Sequence, residues 1–262
     1  PPFTYNQFGG SAGGPIKKNR IFLFGTYEGY REAQLDRVEG NVPTQFMRDT
    51  ILRAVPAYAD ALAPVPLPNQ PHNPTANAAL YVGTDTSVRR DNHADLKGDI
   101  RIGETSTLAL TYSRGRPYRL IPSLYVGNAQ RNQVVAERGT VSYVMGGSSW
   151  TSETRFGYNM SDAHNVNLSF EKPILDAAHP KEEFTQGRRL GRLATNLGWG
   201  TIAANQDLML EGPTWTLGEK FSKHLGKHSL KFGGLFSHHC CQRNNVEAVA
   251  WTYSGLPDLL AN

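Results

Sequence analysis

The chain lacks three things that would place it quickly. It has two cysteines in 262 residues, and they are adjacent, Cys240 and Cys241. Neighbouring cysteines cannot frame a fold, so no disulfide scaffold and no redox compartment are indicated. No hydrophobic run approaches the ~18–20 residues that carry a helix through a bilayer. No sign of charge dominates either: 27 Lys and Arg stand against 23 Asp and Glu, a formal net charge of +4. The basic residues are scattered, with no basic run interleaved with aromatics, which excludes a nucleic-acid groove. The opening Pro1-Pro2-Phe3-Thr4 is not a charged leader before an apolar core, so no signal peptide is read there.

What is present is glycine, aromatics and a period of two. Residues 6–16 read Asn-Gln-Phe-Gly-Gly-Ser-Ala-Gly-Gly-Pro-Ile, and residues 21–31 read Ile-Phe-Leu-Phe-Gly-Thr-Tyr-Glu-Gly-Tyr-Arg, with a basic turn between them. Two such strands around a tight turn predict a hairpin. The second strand is too apolar to leave a face in water, and glycines interrupt it too often for a helix. A membrane β-barrel satisfies its backbone and covers its outer face with lipid.

The same alternation recurs. In residues 95–102, Leu96, Gly98, Ile100 and Ile102 alternate with Asp95, Lys97, Asp99 and Arg101. After Gly103-Glu104-Thr105, Leu108, Leu110 and Tyr112 fall on one face of the returning strand. A second pair spans 135–144 and 150–160 around Gly146-Gly147-Ser148, with Val135, Val141, Tyr143, Trp150, Phe156, Tyr158 and Met160 outward and Arg138, Glu153 and Arg155 inward. A third spans 208–222 and 228–240, where Pro213 predicts a bulge or an edge. Short turns inside the pairs and long connections (32–92, 115–133, 161–207) between them predict an all-β, antiparallel transmembrane barrel segment. It has about eight meandering strands, short periplasmic turns and long extracellular loops. The mean hydropathy of −0.45 is compatible with this, because half of each strand faces a polar lumen. In the first loop Thr44 predicts a helix cap, Ile51, Leu52 and Val55 a helical face, and Pro56 its end, with residues 64–74 irregular.

Residues 6–31 also resemble the early barrel of TonB-dependent outer-membrane transporters of the Oar-like group. That family reads close to N-Q-F-G-G-S-L-G-G-P-I and then F-F-F-G-x-Y-E-G-x-R. The stretch from Trp215-Thr216 to Gly226-Lys227-His228-Ser229-Leu230-Lys231-Phe232-Gly233-Gly234 resembles its recurrent hairpin, and weaker likeness covers Arg90-Asp91-Asn92 to Asp99 and the stretch from Trp251 to Leu260. The resemblance implies that residues 1–262 are the N-terminal part of the barrel domain. Its signal peptide, carboxypeptidase-regulatory-like extension, plug, TonB-contacting box and remaining strands (about 22 in all for such transporters) would then lie outside the chain. The function it implies is movement of a large solute, such as a carbohydrate, siderophore or peptide-like molecule, across the bacterial outer membrane. The implied partners are lipid, the plug, the TonB complex and that solute, with no nucleic acid.

Candidate chemistry is sparse, and no enzyme and no cofactor is expected. His238-His239-Cys240-Cys241 could tempt a metal assignment, but consecutive strand residues point to opposite faces, so at most two share a side. Gly9 to Gly14 lacks the Lys-Ser/Thr ending of a phosphate loop, and Gly146-Gly147-Ser148-Ser149-Trp150 lacks the second glycine of a nucleophile elbow. The lumen-facing charges expected are Asp95, Lys97, Asp99, Arg101, Arg138, Glu153 and Arg155. Tyr27, Tyr30, Tyr112, Tyr143, Trp150 and Tyr158 are expected in interfacial girdles. Tyr118, Tyr125 and Trp199, in loops, are the expected ligand contacts. Two alternatives stay open: a passive porin, adhesin or structural barrel, and a soluble all-β binding module whose apolar faces a second sheet would cover.

Overall fold

A computed structural model describes residues 2–125, 129–167, 190–200, 206–240, 242–247 and 249–261. β1 (Phe3–Lys17) and β2 (Ile21–Pro43) form the first hairpin. α1 (Gln45–Ala54), a 3-10 turn (Pro56–Tyr58) and α2 (Ala59–Leu62) follow. β3 (Ala78–Ile102), β4 (Ser106–Gly115) and the short β5 (Tyr118–Ile121) lead to β6 (Gln130–Gly147) and β7 (Trp150–Asn167). Then come β8 (Leu190–Thr195), β9 (Gln206–Glu211), β10 (Pro213–Leu225), β11 (His228–His239), β12 (Gln242–Glu247), β13 (Val249–Tyr253) and α3 (Leu256–Leu260).

One sheet runs β1-β2-β3-β4-β6-β7-β10-β11, with β5, β9 and β12 paired alongside. Every neighbouring pair on that path is antiparallel. The main path is the eight-stranded meander that the alternation predicts. Its tight turns all lie at one end, and in three of the four Asn19 (φ 58°), Gly103 (φ 65°) and Gly226 (φ 58°) take the left-handed backbone. At Gly9 close approach is the reason for glycine: a Cβ there would stand 2.4 Å from the Tyr27 carbonyl oxygen.

Register sorts the residues into two faces. Leu23, Gly98, Leu110, Val141, Phe156, Leu217 and Phe236 are linked row by row on one face. These side chains are not packed into a protein core: Leu96 is 53% exposed, Leu217 51% and Phe236 66%. Among the described residues no second sheet lies over them, and in an outer-membrane barrel lipid covers such a face. Tyr27, Tyr112, Tyr143, Trp150 and Tyr158 share the apolar face, as expected of girdle residues. Tyr158 lies 4.5 Å from Trp215, and Trp150 stacks on Phe221 at 6.0 Å, ring centre to ring centre. Glu219 also sits on this face, low on β10, where the hydroxyls of Ser152 and Thr154 both donate to it at 2.5 Å.

The strands run further than their hydropathy predicts. β2 and β3 stay paired from Ile21↔Ile100 to Pro43↔Ala78, so most of the expected loop 32–92 is a two-stranded ribbon and only 44–77 remains a connection. That ribbon rises roughly 40 Å beyond the apolar band at ~3.3 Å per residue. Polar and apolar residues mix on both faces, which erases the alternation that marks a strand in sequence, but the ladder still satisfies the backbone. Likewise β5 falls inside 115–133, and β7 extends into 161–207. Residues 168–189 and 201–205 of that last connection lie outside the described residues. The arm expected over 208–222 breaks at Gly212 (φ 147°), after which Pro213 opens β10.

Candidate functional site

The buried apolar core among the described residues lies in a cap at the long-loop end, where it joins the upper end of β2. Val42, Met47, Ile51, Tyr58, Leu62, Tyr125, Trp199, Tyr253 and Leu259 pack together there. Thr44 caps α1 by accepting from Met47 N at 3.2 Å, and Val55 and Pro56 end it, as the sequence predicts. Arg48, one turn in, faces back into the connection. It donates to the carbonyls of Leu62 (3.2 Å), Val65 (2.6 Å) and Pro66 (2.6 Å); Leu62 O also accepts from Val65 N at 3.1 Å. Tyr58 and Tyr253 join hydroxyls at 2.7 Å, tying α2's neighbourhood to β13.

Tyr125 and Trp199, expected free at loop tips, are instead buried in this core, 5% and 6% exposed. The Tyr125 hydroxyl donates to the Asn41 carbonyl and accepts from Gly200 N at 3.0 Å. Burial raises its ionisation to about 12, against the opposing pull of Gly200 N–H and the Arg48 charge. A tyrosine whose folded value is raised keeps its full contribution below the ordinary value near ~10 and loses it as pH climbs toward ~12. Tyr58 is raised in the same direction by burial and its tie to Tyr253. The cap is therefore expected to loosen between about pH 10 and 12 while the sheet persists. Trp199 fluorescence during an alkaline titration checks this. An unchanged signal through that window contradicts it, and Tyr125→Phe should flatten the dependence.

All seven charges expected to face the lumen share the polar face. Asp95 accepts from Thr26 (3.0 Å) and Ser113 (2.6 Å) and lies 3.2 Å from His93. Lys97 pairs with Asp99 at 3.2 Å, and Arg155 with Glu153 at 2.6 Å. Arg101 stands opposite Thr107, and Arg138 opposite both Ser113 and Asn159. Exposed pairs of this kind add little stability, about 0–1 kcal/mol. Phe22 and Phe24 also fall on this face, opposite Asp99 and Lys97.

Above Asp95 the polar face hollows into a cavity of about 470 Å³ between β2, β3, β5 and β6, lined by Glu28, Tyr30, Arg89, Asp91, Tyr118 and Arg119 among others. A second hollow of about 370 Å³ adjoins it through Asp91, His93 and Pro117 and reaches Arg138. Tyr118, one of the expected contacts, lines the larger cavity. Tyr30 does not belong to a girdle: it stands on the polar face opposite Asp91, with the Arg89 guanidinium 5.7 Å above its ring. Reading 32–92 as a loop hid Arg89 and weakened Asp91. The missed signal is that Arg89, Asp91 and His93 continue, two residues at a time, the series Asp95, Lys97, Asp99, Arg101. His239, at the end of β11, lies 3.2 Å from Thr214 Oγ1. Cys240 is a free, exposed thiol, and Cys241 lies outside the described residues.

A lipid-facing antiparallel meander, a polar inner face and a folded cap at the long-loop end define an outer-membrane barrel protein. The family model of an outer membrane beta barrel domain matches residues 1–63 and 51–255, and the chain belongs to that family, placing it in the bacterial outer membrane. Comparisons with curated proteins and with solved structures returned no match.

Proposed function

We propose that this chain forms wall and extracellular surface of a TonB-dependent transporter of the Oar-like group, which moves a large solute across the outer membrane. The observation that carries this reading is the cavity on the polar face beneath the cap, where a solute entering from outside would first meet fixed charges and aromatic rings. The motif resemblance over residues 6–31 and 215–234 supports the same assignment. In this reading the polar face lines the lumen and meets a plug of the same polypeptide. The apolar face meets lipid, and energy arrives through a TonB complex that contacts segments outside residues 1–262. The chain performs no chemistry, and neither a cofactor nor nucleic acid is a partner.

The test is uptake by cells carrying the full-length protein, with and without collapse of the proton-motive force by an uncoupler. Energy-coupled transport predicts that uptake stops when the force collapses. Uptake that continues at the same rate overturns the reading in favour of a passive porin.

A further inference from the structure

Two arginines on the lipid-facing side carry no counter-charge. Arg31 and Arg90 are direct partners across β2 and β3. Counting by twos along each strand puts them on the side of Leu23, Tyr27 and Leu96, not that of Arg89 and Asp95. Arg31 is half-buried and held in place. Its Nη1 donates to the carbonyls of Tyr30 (2.6 Å) and Asp91 (2.7 Å), and its Nη2 to Asn92 Oδ1 (2.7 Å). The guanidinium carbon stands 5.5 Å from the centre of the Phe8 ring. All three acceptors are neutral, and Nε meets no acceptor among the described residues. Arg90 is exposed and pairs with no described acid. The side chains around the pair on this face belong to Asn6, Ala33, Val88, Asn92 and Tyr118, none of them acidic. Arg114, on the same face, has Glu137 at 3.0 Å instead. Like charges placed opposite each other destabilise a sheet, so this pair favours an anion from outside these strands.

The height of the pair decides which anion. The Tyr27 hydroxyl donates, at 3.0 Å, to the same Asn92 oxygen that accepts from Arg31. Tyr27 is a girdle residue, so its hydroxyl marks the level where hydrocarbon gives way to head groups. The Arg31 guanidinium therefore lies at that level, toward the long-loop, extracellular side. Beneath it the wall is smooth. Phe8 lies across Gly29, where a Cβ would stand 2.4 Å from its ring. Gly10, Ala12 and Gly14 follow Phe8 on the same face of β1. A Cβ at Gly10 or Gly14 would meet nothing within 4 Å, which leaves room along β1 for an acyl chain. We infer that Arg31 and Arg90 clamp the phosphate of an outer-leaflet lipid whose acyl chain runs down β1 past Phe8. The phosphate accepts from both guanidinium groups at once, and the Phe8 ring gives the chain an apolar contact.

The clamp rests on the lipid-facing register and not on the transport reading, so either can fail alone. The experiment is native mass spectrometry of the full-length protein in detergent. It is titrated with phosphatidic acid and, separately, with phosphatidylcholine, which carries its own cation beside the phosphate. Phosphatidic acid is expected to bind at least ~10-fold more tightly than phosphatidylcholine. Arg31→Gln with Arg90→Gln should weaken phosphatidic acid by about 5- to 30-fold, the range for one to two basic residues facing an anionic head group, and leave phosphatidylcholine unchanged. Arg90→Gln alone, which breaks no described bond within the chain, should already cost about 5-fold. Arg37→Gln with Arg53→Gln removes the same charge away from the clamp and should leave both affinities unchanged. Millimolar inorganic phosphate should not displace the lipid, because it has no chain to lay along β1. Circular dichroism verifies that each variant keeps its strands. Equal binding of the two lipids, wild-type affinity in the Arg31 and Arg90 variants, or an equal loss in the Arg37 and Arg53 variant each overturns the inference. Displacement by inorganic phosphate overturns it in favour of a site for a free anion.

Discussion

Leu110→Arg is expected to destabilise the folded protein in a bilayer by about 2–4 kcal/mol, the cost of a guanidinium near the middle of a lipid-facing strand. Ala109→Arg, one residue earlier on β4, should change stability by no more than about 0.5 kcal/mol. The difference follows from register. Leu110 stands opposite Gly98 and Val141 on the apolar face, whereas Ala109 stands opposite Asp99 and Ser142 on the polar face. The new charge at 109 therefore meets a carboxylate and water, and the one at 110 meets hydrocarbon. Urea unfolding of both variants in vesicles, followed by tryptophan fluorescence, measures the contrast. Equal losses at the two positions would mean that the faces have been assigned to the wrong environments.

The second large effect is expected outside the membrane. Arg48→Ala removes a donor from Leu62, Val65 and Pro66 at once and strands two of them, Val65 and Pro66, inside a folded connection, while Leu62 O keeps its bond from Val65 N. At about 1–3 kcal/mol for each of the two orphaned acceptors, discounted for the part that water can reach, the cap loses roughly 2–4 kcal/mol. Burial lowers the Arg48 ionisation from its ordinary value. The charge persists because the guanidinium's planar fork of donors meets carbonyls in place of water. Lysine at this position cannot span the same acceptors and should recover only part of the loss. Amide exchange over residues 44–77 is expected to accelerate sharply in Arg48→Ala, with protection of β4, β6 and β7 unchanged. Unaltered exchange in 44–77 would show that the helices hold without the clamp.

How much could be read from the chain depends on whether a segment has one wet and one oily side. Within the bilayer band it does, so Leu96, Gly98 and Ile100 against Asp95, Lys97 and Asp99 identify a strand and both of its faces. The turn residues Asn19, Gly103 and Gly226 mark the tight ends for the same local reason. Helix α1 was legible because Thr44, the apolar spacing of Ile51 and Val55, and Pro56 all act within a few residues of one another. The long ribbon of β2 and β3 was not legible, because neither face is uniformly wet or oily, its top being packed into the cap, and hydropathy then carries no period.

The candidate site divides in the same way. Local alternation by itself determined that this is a membrane-facing antiparallel meander with a charged inner face, and it placed Asp95, Lys97, Asp99, Arg101, Arg138, Glu153 and Arg155 on that face. Only tertiary structure decided that Arg89 meets Arg119 from a different strand, that Tyr30 turns toward the cavity, and that Tyr125 and Trp199 hold the cap together. Those contacts join residues about 30 to 200 positions apart. Their partners are chosen by strand register and by closure of the long loops, and neither leaves a trace in the local pattern of the chain.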